Sequence, residues 1–330
     1  MKIAVDELKE LTGNALRNQG YDRSEIEIIR EILLYAQLRG NNQGIVKLIG
    51  NGMPKNTDAK EIEIEKETPL SVRINGNQNH AMLVVHEAMK IVLKKVEQGG
   101  FAIAGTHHTS TSSGAIGYYA RNIAEAGYIG FVFSRAPERV AVYGSFEPTF
   151  GTNPIAISIP SEPGPMVLDM STAAMSFYGI LEAKTAGRQI PEGIAYDAEG
   201  KLSTDPVAVI SGALRTFDKE FKSSALSMIV EVLAGPLVGA SFSGQRDSRQ
   251  SWGHLLFAID PNLFGDRNEF QDNLSQLIQR IKGAQKLPGH DHIMVPGERG
   301  DSIFRKAMET GVIEIEDTLL EELRIAAGHS

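Results

Sequence analysis

A chain of 330 residues that is 42% hydrophobic and 22% charged can bury a large core, in two domains or one elaborated domain. Its net charge of -8, spread without long single-sign blocks, argues against a nucleic-acid or anionic-membrane partner, which calls for a basic face. There is no cysteine, which excludes disulfides, thiolate catalysis and cysteine-rich metal sites.

Asp6, Glu7 and Glu10 interrupt the apolar residues of the N-terminus, so no signal peptide is read there. No run of about 18 apolar residues is seen, so no spanning helix is expected and a cytoplasmic protein is the default. Val5, Leu8, Leu11 and Ala15 fall on one face of a first helix, which Gly20 ends. Ser24 is the expected N-cap of a second helix carrying Ile28, Ile29, Ile32, Leu33 and Ala36. That helix runs into Arg39-Gly40-Asn41-Asn42-Gln43-Gly44, either a plain helix end or a substrate-contacting loop. Ile62, Ile64, Leu70, Val72 and Ile74 alternate with polar residues and predict strands, with Asn75-Gly76-Asn77 as the turn. Residues 81–98 predict a helix stopped by Gly99-Gly100, and 101–104 a short buried strand. A hydroxyl-rich loop, 105–114, holds His107 and His108; a helix over 115–126 and a strand over 129–133 follow.

Phe150-Gly151-Thr152-Asn153-Pro154 opens an alternating run to Pro160, and Met166-Val167-Leu168-Asp169-Met170-Ser171-Thr172 ends in a polar turn before a helical segment. Further on come a short helix near Val207, a very apolar helix over 223–237, a strand over 254–259 and an amphipathic helix over 270–281. Residues 295–300 read as an extended turn-rich loop, and helices over 302–309 and 318–327 flank a strand over 312–315. Strands alternating with helices predict the α/β class. Neither GxGxxG nor GxxxxGK[ST] follows a strand, so a Rossmann or P-loop fold has no direct support.

Several residues carry candidate chemistry. Lys222 before the apolar helix is either a surface lysine or part of an anion site at the helix N-terminus. Asp169 is either an N-cap or an acceptor for ribose hydroxyls. Arg188 is free to pair with a carboxylate or phosphate, or to form a surface salt bridge. Arg135 and Arg139 are candidates for a 2′-phosphate, or ordinary exposed arginines. A proton donor for carbonyl reduction is usually an imidazole. His107 and His108 stand out because they share a strand-end loop, whereas His86 lies singly on a helix. No metal constellation is read, since His290-Asp291-His292 looks like an exposed turn.

The ordered set Phe150-Gly151-Thr152-Asn153-Pro154, Leu168-Asp169-Met170-Ser171-Thr172, Ala186-Gly187-Arg188-Gln189-Ile190-Pro191, Tyr196-Asp197-Ala198-Glu199-Gly200, Thr204-Asp205-Pro206, Lys222-Ser223-Ser224-Ala225-Leu226-Ser227-Met228 and Leu287-Pro288-Gly289 resembles the malate/L-lactate dehydrogenase type 2 family. That family includes ureidoglycolate, sulfolactate, diketogulonate and piperideine-2-carboxylate oxidoreductases. The resemblance implies an oxidoreductase using NAD or NADP and acting on a small molecule. It also implies a non-Rossmann α/β fold, with a largely antiparallel sheet flanked by helices, and a homodimer. The expected division sets a mostly helical, substrate-side part, 1–75 with 262–330, against a cofactor-binding sheet domain, 76–261. Cofactor contacts carry over to Asp169, Met170, Ser171, Lys222 and Pro296-Gly297-Glu298, with Ser134 or Ala136 near another.

Two departures stand out. Relatives carry His-Ser-Gly where this chain has Ser112-Ser113-Gly114, and a Ser-His-Gly motif with a following arginine where it has Asn42-Gln43-Gly44 and Lys47. The expected reaction interconverts a 2-oxo acid and a 2-hydroxy acid. His107 is the expected acid/base, with His108 second. Lys47, Asn41 and Asn42 are expected to bind the substrate. The rivals are a reductase of cyclic imino acids and a nicotinamide-binding protein without turnover.

Overall fold

The computed structural model describes residues 1–329. Its spine is a seven-stranded sheet. In chain order the strands are β1 (Glu63–Glu67), β2 (Ser71–Asn75), β3 (Phe101–Thr109), β4 (Ile129–Arg135), β5 (Ile155–Ile159), β6 (Met166–Met170) and β7 (Trp252–Ile259). In space they run β1-β2-β3-β7-β4-β5-β6. Only β2 and β3 pair in parallel, joined by helix α3 (Ala81–Gly99); every other neighbouring pair is antiparallel. Hairpins and meanders build such a sheet without a crossover helix at each step.

Helices α1 (Val5–Asn18), α2 (Arg23–Gln37), α3 and α4 (Gly117–Glu125) share one core with the sheet residues Val72, Ala104, Val132 and Leu256. Asp22, not Ser24, is the N-cap of α2. Its carboxylate accepts from Ser24 N and Glu25 N, and Glu25 accepts from Asp22 N. A second, smaller core lies around α5 (Phe177–Thr185) and a four-stranded sheet built from Val140–Ala141, Pro148–Phe150, Ala195–Tyr196 and Ala213–Leu214. The boundary expected at residue 75 is therefore misplaced, because β1 and β2 belong to the main sheet through their pairing with β3.

The apolar helix of the later chain is α6 (Phe221–Ala234), followed by α7 (Arg267–Lys282), α8 (Glu298–Thr310) and α9 (Asp317–Ala326). By length and composition Phe221–Val238 would suffice to cross a bilayer, contrary to the sequence expectation. In this fold α6 lies against β4 and β7. It turns Ser223, Ser227, Val230 and Glu231 inward and leaves Phe221, Met228, Ile229 and Val232 exposed. Strand Lys2–Ala4 pairs with Val312–Glu314, and α9 packs on α1 and on the short 3-10 helix Ile45–Leu48.

The loop expected at 105–114 begins only after Thr109, because β3 runs on between β2 and β7. Its polar residues conceal the strand, but Thr106, His107 and Thr109 are all buried. Likewise α8 starts at Glu298, inside the expected loop. Gly297 precedes it at φ 93, a left-handed conformation that favours glycine.

Candidate active site

A cavity of about 170 Å³ opens between the loop after β3, the end of β4 and α5. Ser112, Ser113, Ser134, Arg139, Phe177 and Tyr178 line it, together with Gln43, Thr152 and Trp252. The loop is tied down from several sides. Gly114 N donates to Ser112 Oγ (3.2 Å), Tyr119 donates to the Ser113 carbonyl (2.8 Å), and the hydroxyls of Ser113 and Ser134 lie 3.3 Å apart. Gly114 has φ +75, and a Cβ there would come within 2.5 Å of Ile32, so only glycine serves.

Behind Ser112 stands Lys47. Its Nζ donates to Ser112 Oγ at 2.8 Å and sits 3.2 Å from the centroid of the Tyr178 ring. Lys47 is 2% exposed and makes no ion pair among the described residues. Burial therefore holds its pKa well below the usual amine range. Burial, and then the nearby Lys47 charge, lowers His80 to about 3, so this imidazole stays neutral while its Nδ1 accepts from Met82 N at the start of α3. Burial pushes the Tyr178 hydroxyl up to about 12, partly offset by a hydrogen bond with Ser112. Arg139 is the only charged residue lining this cavity among the described residues. Its guanidinium stacks 4.3 Å from the centroid of the Phe177 ring. The adjacent Glu138 is already engaged by Arg135 and Arg249.

A second, larger cleft of about 610 Å³ lies across the Asn41-Asn42-Gln43 turn. Asn41 and Asn42 face the cleft, whereas Gln43 faces the small cavity. Asn42 accepts from the Ser176 hydroxyl (2.8 Å), and Asn41 accepts from Gln43 N (2.9 Å), which fixes this partition. Asp169, Pro296 and Gly297 also line the cleft, and Arg39 and Arg121 converge there on Asp301. Asp169 Oδ2 accepts from Gly117 N at 2.9 Å. The carboxylate thus caps a helix, as one reading of the sequence had it, but the helix is α4, in another part of the chain. Burial raises Asp169 to about 6, against the effect of that hydrogen bond. A Cβ at Gly117 would meet this carboxylate at 2.7 Å, so the cap requires glycine opposite. Beyond Asp169 the strand passes from the cleft toward the small cavity, where Ser171 donates to the carbonyl of Thr152 (2.9 Å).

Residues 3–324 match the family model for malate/L-lactate dehydrogenase. The chain belongs to the malate/L-lactate dehydrogenase family. It is 35% identical to the malate/(S)-sulfolactate dehydrogenase of Methanothermus fervidus, over 98% of this chain and 96% of that one. It is 30% identical to the ureidoglycolate dehydrogenase (NAD(+)) of Escherichia coli K12, over 98% of this chain and 95% of that one. In fold it is similar to the malate dehydrogenase of Entamoeba histolytica, with a TM-score of 0.89 at 24% identity, covering 99% of this chain and 97% of that one.

This member of the malate/L-lactate dehydrogenase family gathers some of the residues singled out in its sequence and disperses others. Ser134 lines the small cavity, and Asp169, Pro296, Gly297, Asn41 and Asn42 line the cleft. Met170 and Ser171 lie on the stretch between them. Glu298 lies at the cleft's edge as the first residue of α8, paired with Lys282 and accepting from Val295 N (3.0 Å). Lys222, exposed at the start of α6, lines neither space.

His107 and His108, read from the sequence as acid/base candidates, line neither space. The extension of β3 carries them to the β1–β2 side of the sheet. There His107 Nε2 lies 3.0 Å from Glu65, and His108 reaches toward Asp247. Lys47 is bonded to a serine instead of facing the cavity as a carboxylate clamp. Arg135 is wholly buried against Glu231 and Glu138, out of reach of a 2′-phosphate. The sequence reading overlooked Tyr178, Phe177 and the cavity role of Arg139. An aromatic pair after a serine reads as core, and nothing local links Arg139 to residues 112–113.

Proposed function

We propose that this protein is an NAD- or NADP-dependent oxidoreductase that interconverts a 2-oxo acid and a 2-hydroxy acid in the small cavity. The observation that carries this reading is the meeting of Ser112, Ser134 and the unpaired Arg139 around one cavity. The cleft residues fit a dinucleotide. Asp169 commits Oδ2 to Gly117 and leaves Oδ1 as an acceptor for ribose hydroxyls, while Gly297 lets backbone approach closely at a helix start. The nicotinamide, when bound, supplies the hydride. The protein's part is to orient the substrate, exclude water and move one proton. That the main sheet is antiparallel at all but one pairing supports a nicotinamide site of non-Rossmann type.

Arg139 is the residue we assign to the substrate carboxylate. A planar guanidinium already stacked on Phe177 binds a carboxylate in a fork with little loss of side-chain freedom. Charge-assisted hydrogen bonds of about 1.5–3 kcal/mol give the expected outcome for Arg139→Ala. KM for a 2-oxo acid rises roughly 10- to 100-fold while kcat stays within a few-fold. Steady-state kinetics decide it, and an unchanged KM removes Arg139 from the substrate site.

The reaction as a whole is tested by fluorescence titration with NADH and NADPH, then by turnover with a panel of 2-oxo acids and cyclic imines. Binding of neither nucleotide sinks the proposal. Turnover of cyclic imines alone selects the imino-acid reductase instead. That second reading is favoured by the lack of a histidine among the described residues lining the cavity, since an imine takes its proton readily from solvent. Binding without turnover selects a nicotinamide-binding protein. A homodimer is part of the proposal, supported by the exposed apolar face of α6, and sedimentation checks it.

A further inference from the structure

We propose that Ser112 passes the reaction proton to and from the substrate oxygen and that Lys47, behind it, refills and empties Ser112, a relay standing where relatives place a histidine. The inference rests on the function proposed above and adds the proton path.

The geometry selects these two residues. Ser112 Oγ is on the cavity wall and has a single side-chain donor at its back, Lys47 Nζ at 2.8 Å. Gly114 N fixes the same oxygen from a second direction, so the hydroxyl proton is left for the cavity side, where the Tyr178 oxygen holds it until a substrate oxygen takes that place. A serine alone is too weak an acid at neutral pH, and its alkoxide too strong a base to persist. It works only if a second group exchanges a proton with it. Lys47 is placed for that and for little else. It is buried and free of carboxylates, and the Tyr178 ring holds it from the opposite side. Burial without a counter-ion also holds the amine well below its usual range, which eases the loss of its proton.

The other candidates fail on position or acidity. His107 and His108 are elsewhere on the sheet. His80 does not line the cavity and stays neutral. Tyr178 faces the cavity, but its hydroxyl is held near 12, too weak an acid to serve alone.

In the reductive direction the substrate oxygen takes the proton of Ser112 Oγ–H as hydride from NADH or NADPH reaches the carbon. The Oγ–H bond breaks, and Oγ gains a proton from the Lys47 ammonium, whose N–H bond breaks to leave a neutral amine. Once product leaves, a proton from bulk solvent, handed on by water in the cavity, returns to Lys47 through Ser112. Oxidation runs the same transfers backwards, with the Lys47 amine as the final acceptor.

The test uses the full-length protein with Ser112→Ala, Lys47→Met and the double variant, assayed by NADH or NADPH oxidation with the best substrate of the panel. Each single change is expected to lower kcat at least 100-fold, with nucleotide affinity unchanged and the double variant no worse than either single one. Ser112→Thr, which keeps the hydroxyl, is expected to retain most activity. The ionisation seen in the wild-type pH–rate profile is expected to vanish in Lys47→Met. Thermal melts identify any variant that does not fold, and Lys47→Arg, which keeps charge but cannot titrate, then replaces Lys47→Met. Lys47 variants that keep kcat within threefold and retain the wild-type pH profile overturn the relay. In that case hydride transfer by the wild type still upholds the oxidoreductase, so the two failures are distinguishable.

Discussion

Glu231→Ala is expected to lower the free energy of unfolding by about 1.5–3 kcal/mol, measured by urea denaturation with an unchanged m-value. Glu231 on α6 meets Arg135 at the end of β4, where Nε and the carboxylate are 2.9 Å apart. The Arg135 side chain is 0% exposed. Its other contacts are Glu138 and the carbonyls of Ser248 and Ser251. The second oxygen of Glu231 accepts from Asn153 Nδ2 (2.8 Å), and Asn153 keeps a φ of 37. Removing the carboxylate leaves Arg135 Nε without an acceptor in a buried site, while Glu138 still neutralises the guanidinium and the Ser227 carbonyl still holds the Asn153 amide. Replacing both ions by apolar residues of similar volume, Glu231→Leu with Arg135→Met, is expected to cost much less than Glu231→Ala. A loss below about 1 kcal/mol in the single variant, the range of surface pairs, would mean that Arg135 reaches water despite its burial.

Acidification from pH 7 to pH 5 is expected to destabilise the fold by a net 2–3 kcal/mol, roughly, on these groups alone. His80 and His254 are both held near 3 by burial, against an ordinary value of 6.5. Each lowered imidazole contributes stability that is present above 6.5 and lost as pH falls, because the unfolded chain binds a proton that the native chain refuses. Over this interval each loses about 2 kcal/mol. Asp169 acts with the opposite sign. Its folded pKa is raised to about 6, so protonation on the way down returns about 1.3 kcal/mol. Denaturation midpoints at the two pH values check the sum. His254→Gln is expected to flatten the slope, since His254 is anchored only through the Thr106 hydroxyl at 2.8 Å.

Periodicity made most of the elements legible, including α1, α3, α7 and the strands at Ile129 and His254. It failed where polar residues occupy a buried strand, as in β3, since alternation is disguised once threonine and histidine take the inward places. The cleft residues Asp169, Pro296 and Gly297 were legible as a group because they lie in short contiguous motifs. The surroundings of the small cavity were not. Lys47, Ser112, Arg139 and Tyr178 come from four distant stretches, and only tertiary packing brings them together. Two histidines in a hydroxyl-rich segment gave a stronger local signal than a serine with a lysine at its back, and the fold places those histidines beside Glu65 and away from the small cavity.

The pairing of Lys2–Ala4 with Val312–Glu314, and the docking of α9 on Ile45–Leu48, also bear on biosynthesis. The segment that carries Lys47 waits, during translation, for residues 317–326 to leave the ribosome. Contacts of such sequence separation form late, after the sheet has had time to assemble. The nascent chain therefore carries an unfinished wall beside Lys47 until residues 317–326 have been made and can dock on Ile45–Leu48.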